Sequence, residues 1–238
     1  MSLSQERVRA VSIAATLSRL RTSGSDGSSV AWLMSMTFTM ATKGSLENLE
    51  LLGGGKVDLA IVQLDALKFM SDVVKQDLGL NLFEKIKVVM NLYPEEIHIL
   101  TNKKDIQTFY NLEGKRVSVG PPGGGTAVTA AVLFNVYDIK ATVSEEPFED
   151  AVKKMEQGSL DAVIFVGGAP VPFIEKLGGK FSFVRLPSNP VLEQIYLRTS
   201  LGKQLYGWAG TDTETYGVPA AIMRAESNIE PFDHRIKS

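Results

Sequence analysis

Ser45-Leu-Glu-Asn-Leu-Glu-Leu-Leu-Gly-Gly-Gly-Lys-Val-Asp-Leu-Ala-Ile-Val-Gln63 reads as a helix, a stop and a buried strand in immediate succession. Ser45 is a suitable N-cap, Leu46, Leu49, Leu51 and Leu52 supply the apolar positions, and Gly53-Gly54-Gly55 ends the helix. The stretch Val57-Asp58-Leu-Ala-Ile-Val-Gln63 is then near-continuously apolar, as expected of a parallel strand covered on both faces. The same order recurs further on. Phe148, Ala151, Val152 and Met155 form a helical stripe, Gly158 stops it, and Leu160-Asp161-Ala-Val-Ile-Phe-Val166 runs into Gly167-Gly168-Ala169-Pro170. Two α/β units of this kind imply two lobes, with a cleft where their strand ends face each other.

A second stretch, Lys115-Arg-Val-Ser-Val-Gly-Pro-Pro-Gly-Gly-Gly-Thr-Ala-Val-Thr129, takes an apolar strand through a flexible loop into a helix. Glycines at 123, 124 and 125 let backbone amides approach a ligand, and the first helical turn presents unpaired N–H groups and the positive end of its dipole. A carboxylate or a phosphate fits that geometry. Gly120 and Gly125 have P-loop spacing, but Thr126 and Ala127 follow where Lys and Ser or Thr are required. Gly123 and Gly125 likewise begin a dinucleotide fingerprint that fails at Val128.

Val88-Val-Met-Asn-Leu-Tyr-Pro-Glu-Glu-Ile-His-Ile-Leu100 is extended and interrupted at Pro94, and reads as a crossover between lobes. With a return between Phe181 and Pro190, residues 1–92 and 191–238 form a discontinuous first lobe and 93–190 the second.

The 238 residues carry 25 basic and 27 acidic side chains, a balance that gives no electrostatic reason to expect nucleic acid as a partner. With no Cys and only His98 and His234, thiolate chemistry is excluded, and neither a metal nor a cofactor is expected. No apolar run reaches the roughly 18 residues of a membrane span.

These motifs resemble a TAXI-type solute receptor of the TRAP transporters. The matching stretches are Thr42-Lys-Gly-Ser-Leu-Glu-Asn-Leu49, Val57-Asp-Leu-Ala-Ile-Val-Gln63, Leu92-Tyr-Pro-Glu95, Leu112 through Thr126, and Leu160 through Pro170. The resemblance implies a type II periplasmic-binding fold, an α/β molecule of two lobes with a hinge and a central ligand cleft. It implies no chemistry. A small anionic solute, a glutamate-like amino acid or small organic acid, would be captured in the periplasm or elsewhere outside the cytoplasm and delivered to a TRAP transporter membrane subunit, an export signal having been removed from this chain. Carried over by position, the cleft would use Thr42, Gly44, Ser45, Gln63 and Tyr93 from the first lobe and crossover. The second lobe would add Gly123, Gly124, Gly125, Thr126 and Thr129, with Gly167, Gly168, Ala169 and Pro170. Physically, the loop amides and the Thr126 hydroxyl suit a carboxylate, while Gln63 offers a donor and an acceptor to a second polar group.

The chain departs from that family over residues 14–40, where a Ser- and Gly-rich connection replaces a long helix and Trp32 is expected to pack as core, and at 231–238, where the family continues. The competing readings place an enzyme or a ligand-sensing module for a phosphate-bearing metabolite on the same fold. Asp58, Asp161, Glu95 and Glu96 are the carboxylates such an enzyme could draw on. Asp58 and Asp161, however, follow helix-stopping glycines at strand beginnings, away from the cleft, and read as turn or packing residues.

Overall fold

The computed structural model describes residues 12–18 and 36–226; Trp32, His234 and the segment 231–238 lie outside the described residues. In chain order, β1 (Ser12–Ser18) and β2 (Met36–Thr42) lead to α1 (Ser45–Gly53), β3 (Leu59–Gln63), α2 (Leu64–Leu78), α3 (Leu82–Lys85) and β4 (Ile86–Asn91). Next come β5 (Glu95–Thr101), β6 (Arg116–Ser118), α4 (Gly125–Tyr137), β7 (Thr142–Ser144), α5 (Phe148–Glu156) and β8 (Ala162–Gly167). α6 (Pro172–Glu175), β9 (Ser182–Phe183), β10 (Leu197–Leu201), β11 (Thr213–Val218) and β12 (Ala220–Ala225) complete the described chain.

The strands form two sheets, one in the order β2-β1-β3-β12-β4 and one in the order β10-β11-β5-β8-β6-β7, with β9 beside β5. Each sheet carries its own core. Leu49 and Leu52 of α1 and Leu67 and Val74 of α2 close over Ala60 and Val62 of β3 in the first lobe. In the second, Leu133 of α4 packs with Ile97, Ile99 and Val117, while Ala151, Val152 and Met155 of α5 meet Leu100 and Val163.

Both helix–glycine–strand units form as expected: α1 runs into β3 and α5 into β8. The strand directions differ from expectation. β3 lies antiparallel to both β1 and β12, and β8 is antiparallel to β5 while parallel to β6. Helices on the sheet faces make these strands apolar whatever the direction of their neighbours, so an apolar run reports coverage and not polarity. Asp161 is the turn-and-packing residue expected: Arg116 donates to it from its backbone amide and twice from its guanidinium, holding the carboxyl down near pKa 2. His98, in the apolar β5, is fully buried; its Nε2 lies 2.7 Å from the Tyr206 hydroxyl, which also accepts from Val171 N.

The crossings between lobes position everything else. The first is Leu92-Tyr93-Pro94, between β4 of the first sheet and β5 of the second. The second falls at Pro219, later than the expected return between 181 and 190, because β10 and β11 stay in the second sheet by pairing with each other and with β5. Among the described strands after β5, only β12 returns to the first lobe, inserted between β3 and β4. The apolar run around Tyr196 buries its aromatic ring against the second-lobe core, which keeps that segment from crossing early.

Burial pushes the pKa of His98 down to about 4. A folded value below the unfolded one means that His98 supports stability above about pH 6.5 and loses that support as pH falls toward 4, by up to about 3 kcal/mol. Urea unfolding of the wild type and of His98→Gln at pH 7 and pH 4.5 should show the larger acid loss in the wild type; equal losses would remove His98 as a source of acid sensitivity.

Candidate functional site

The two lobes meet through backbone. Gly44 immediately precedes α1 and Gly124 immediately precedes α4, so two helix N-termini come together at the junction. Gly44 has φ 141, a region that favours glycine, and a Cβ there would lie 2.9 Å from Gly124 Cα and 3.0 Å from Gly125 N. Glu47 N donates to Gly123 O at 3.2 Å across the same seam. A Cβ on Gly125 would overlap Gln63 Oε1 and come within 2.9 Å of Ser45 Oγ. The glycines of the loop therefore matter for contact between lobes as well as for access to amides.

Ser45 is not the N-cap that its sequence position suggests. Gly44 occupies that place, and Ser45 is the first helical residue, its Oγ accepting from Gln63 N at 3.1 Å. This bond ties the start of α1 to the end of β3. Thr42, the last residue of β2, donates to Asn48 Oδ1, and Asn48 in turn donates to Ile61 O of β3. Gln63 is buried, and its Nε2 donates to Glu95 Oε2 at 2.6 Å.

On the second-lobe side, Thr126 Oγ1 accepts from Val166 N at 3.2 Å, so the hydroxyl expected to face a ligand also pins α4 to β8. Thr129 Oγ1 donates to Asp65 Oδ2 of the first lobe at 2.7 Å. Tyr93 is 66% exposed and its ring covers Gly168, where a Cβ would collide with it. Ala169 N donates to Glu96 Oε2 at 2.7 Å, fastening the Gly167–Pro170 loop to the start of β5. The sequence-predicted residues thus gather along one junction, with Ser45, Gln63 and Gly125 in mutual contact. Thr126 and Thr129 face packing partners, β8 in one case and Asp65 in the other.

Sequence reasoning missed Asp65 and Tyr196. Asp65, the second residue of α2, receives Thr129 Oγ1, the Tyr196 hydroxyl at 2.7 Å and the amide of Ala66 at 2.8 Å. Burial raises its pKa and these bonds oppose the rise, while burial and the Asp65 charge together raise that of Tyr196. An acidic residue two places after Gln63 was a visible signal for Asp65; nothing local marks Tyr196. Glu95, one of the carboxylates an enzyme could draw on, accepts from Gln63 at the seam. Burial lifts it to about pKa 6, with Asp65 and Glu96 adding to the rise against the bond from Gln63. A raised carboxyl supports the fold most below about pH 4.5 and loses that support as pH rises through 6, the reverse of His98.

Two sheets with separate cores, joined by crossings at Pro94 and Pro219, make the described residues a two-lobed mixed α/β molecule. The chain belongs to the NMT1-like family, whose sequence pattern matches residues 25–187. Among solved structures it is similar to an ancestral arginine-binding protein bound to arginine, at 15% identity over 75% of this chain and 62% of that one, with a TM-score of 0.45. It is also similar to an amino acid ABC transporter substrate-binding protein from Streptococcus pneumoniae bound to L-arginine, at 15% identity over 76% of this chain and 60% of that one, TM-score 0.42. A third is the GluR0 ligand-binding core from Nostoc punctiforme in complex with L-glutamate, at 21% identity over 79% of this chain and 68% of that one, TM-score 0.44. The chain spans less than two-thirds of the length of the first two.

Because a side chain on Gly125 collides with Gln63 of the opposite lobe, Gly125→Ala should hold the lobes apart while leaving each core intact. Small-angle scattering should give a larger radius of gyration for the variant, with unchanged far-UV circular dichroism; an unchanged radius would show that the seam yields locally.

Proposed function

We propose that this chain is a solute receptor that closes two lobes on a small carboxylate-bearing solute and passes it to a membrane transporter. The observation that carries the reading is the seam itself. The start of α1, in the first lobe, and the start of α4, in the second, face each other across it, and helix N-termini favour anionic groups. With Gly125 against Ser45 and Gln63, a solute can enter between these residues only when the lobes part. Neutral donors suit the carboxylate end of such a solute, since no counter-charge has to be separated from that end on release.

Thr42, Gly44, Ser45, Gln63, Tyr93, the Gly123–Thr126 loop, Thr129 and the Gly167–Pro170 loop remain the proposed contacts. Thr42, Thr126 and Thr129 also hold the scaffold, through Asn48, Val166 and Asp65 respectively. For that reason Thr126→Val is a poor probe: it unpairs Val166 N and moves stability together with binding. The motifs around Thr42, Tyr93 and Gly123–Thr126 support the finer reading, a TAXI-type receptor serving a TRAP transporter outside the cytoplasm. Among the described residues, no helix is long and apolar enough to cross a membrane.

The test is a thermal-shift screen against amino acids, small dicarboxylates and phosphate metabolites. A compound at a hundred times its Kd should stabilise the chain by about 2.7 kcal/mol, and the same compound should reduce the radius of gyration. No shift with any carboxylate, in a chain that melts cooperatively, would overturn the receptor reading. Turnover of a bound compound would make the protein an enzyme.

A further inference from the structure

The acceptors at the seam are unequally supplied with donors, and that imbalance identifies a ligand group. Asp65 has three donors, from Thr129, Tyr196 and Ala66. Glu96 receives the amide of Ala169. Among the described residues, the Glu95 side chain receives only Gln63 Nε2, a neutral amide, on Oε2. Gln63 is 4% exposed, and its Oε1 has no hydrogen-bond partner although it is fully buried. That oxygen is aimed across the seam at Gly125, where a Cβ would overlap it. Among the described residues, no lysine or arginine side chain forms an ion pair with Asp65, Glu95 or Glu96.

A buried acceptor without a donor is costly, and a half-buried carboxylate held by a single neutral donor gains from a compensating charge. We infer that the cleft takes a solute bearing a cationic nitrogen, received by the Glu95 carboxylate together with the side-chain carbonyl of Gln63. An ammonium brings three donors and a positive charge, and so supplies both groups at once. A hydroxyl or neutral amide could fill the Gln63 carbonyl but would leave the Glu95 charge uncompensated. Burial together with Asp65 and Glu96 makes Glu95 costly to ionise in the absence of such a cation. The α1 and α4 N-termini, facing each other beside Gln63, are left for the carboxylate of the same molecule. The solute class is therefore an amino acid and not a simple organic acid.

The inference rests on the receptor reading and specifies its ligand. It is tested by isothermal titration of the full chain with two matched pairs, L-glutamate against glutarate and L-leucine against 4-methylpentanoate, in the wild type and in Glu95→Gln. The expected result is at least tenfold tighter binding of one amino-bearing member than of its desamino partner, with the difference abolished in Glu95→Gln. Gln63→Met should reduce the same difference, and it stands in if Glu95→Gln fails to melt cooperatively. Equal binding of both members of a pair would overturn the cationic subsite while leaving the receptor intact. No binding by either pair would remove both.

Discussion

One antiparallel pair of chain segments, β4 into β5 and β11 into β12, passes through both sheets and carries the chain between the lobes. Leu92 N donates to Ala220 O and Leu64 N to Pro219 O, so the crossings are bonded to each other and to the start of α2. Pro94 and Pro219 remove two amide donors where the segments change sheets, which interrupts the ladder there and leaves the strands on either side complete. Gly217 has no Cβ, and one placed on it would lie 2.8 Å from Pro94 Cβ, so the crossings can lie this close only with glycine at that point. A pivot results, with the Gly44–Gly124 seam beside it.

The carboxylates near this pivot show how a low-dielectric junction tolerates charge. Asp65 is surrounded by hydroxyl and amide donors from both lobes and sits in the first turn of α2, where the helix dipole favours a negative group. Its bonds to Thr129 and Tyr196 join first lobe to second, so the group that is costly to bury is also the group that holds the lobes in register. Glu95 has fewer partners, and burial raises the pKa of both carboxyls.

Much of this was legible in the residue order. The α1–β3 and α5–β8 units come from contiguous patterns, a helical stripe, a glycine and an apolar run, and each pattern is local enough to read directly. The glycine loop before α4 was visible for the same reason. The return point was not, because Leu197–Leu201 and Thr213–Val218 carry strand patterns compatible with either sheet, and only pairing with β5 decides between them. Asp65 and Tyr196 are separated by 131 residues, and a single hydrogen bond over that distance leaves no periodicity. Ser45 was misplaced by one position since Gly and Ser both suit an N-cap, and the close approach of Gly124 selects Gly44.

The place of β12 bears on the order in which the molecule is built. It is the last described strand, yet it lies between β3 and β4 in the middle of the first sheet, pairing with Ala60–Gln63 on one side and Ile86–Asn91 on the other. During synthesis the ribosome releases all second-lobe strands before this one, so the second lobe can close while the first still exposes two unpaired strand edges. Until residues 220–225 emerge, the facing edges of β3 and β4 in the first lobe are exposed strand edges in need of protection from self-association.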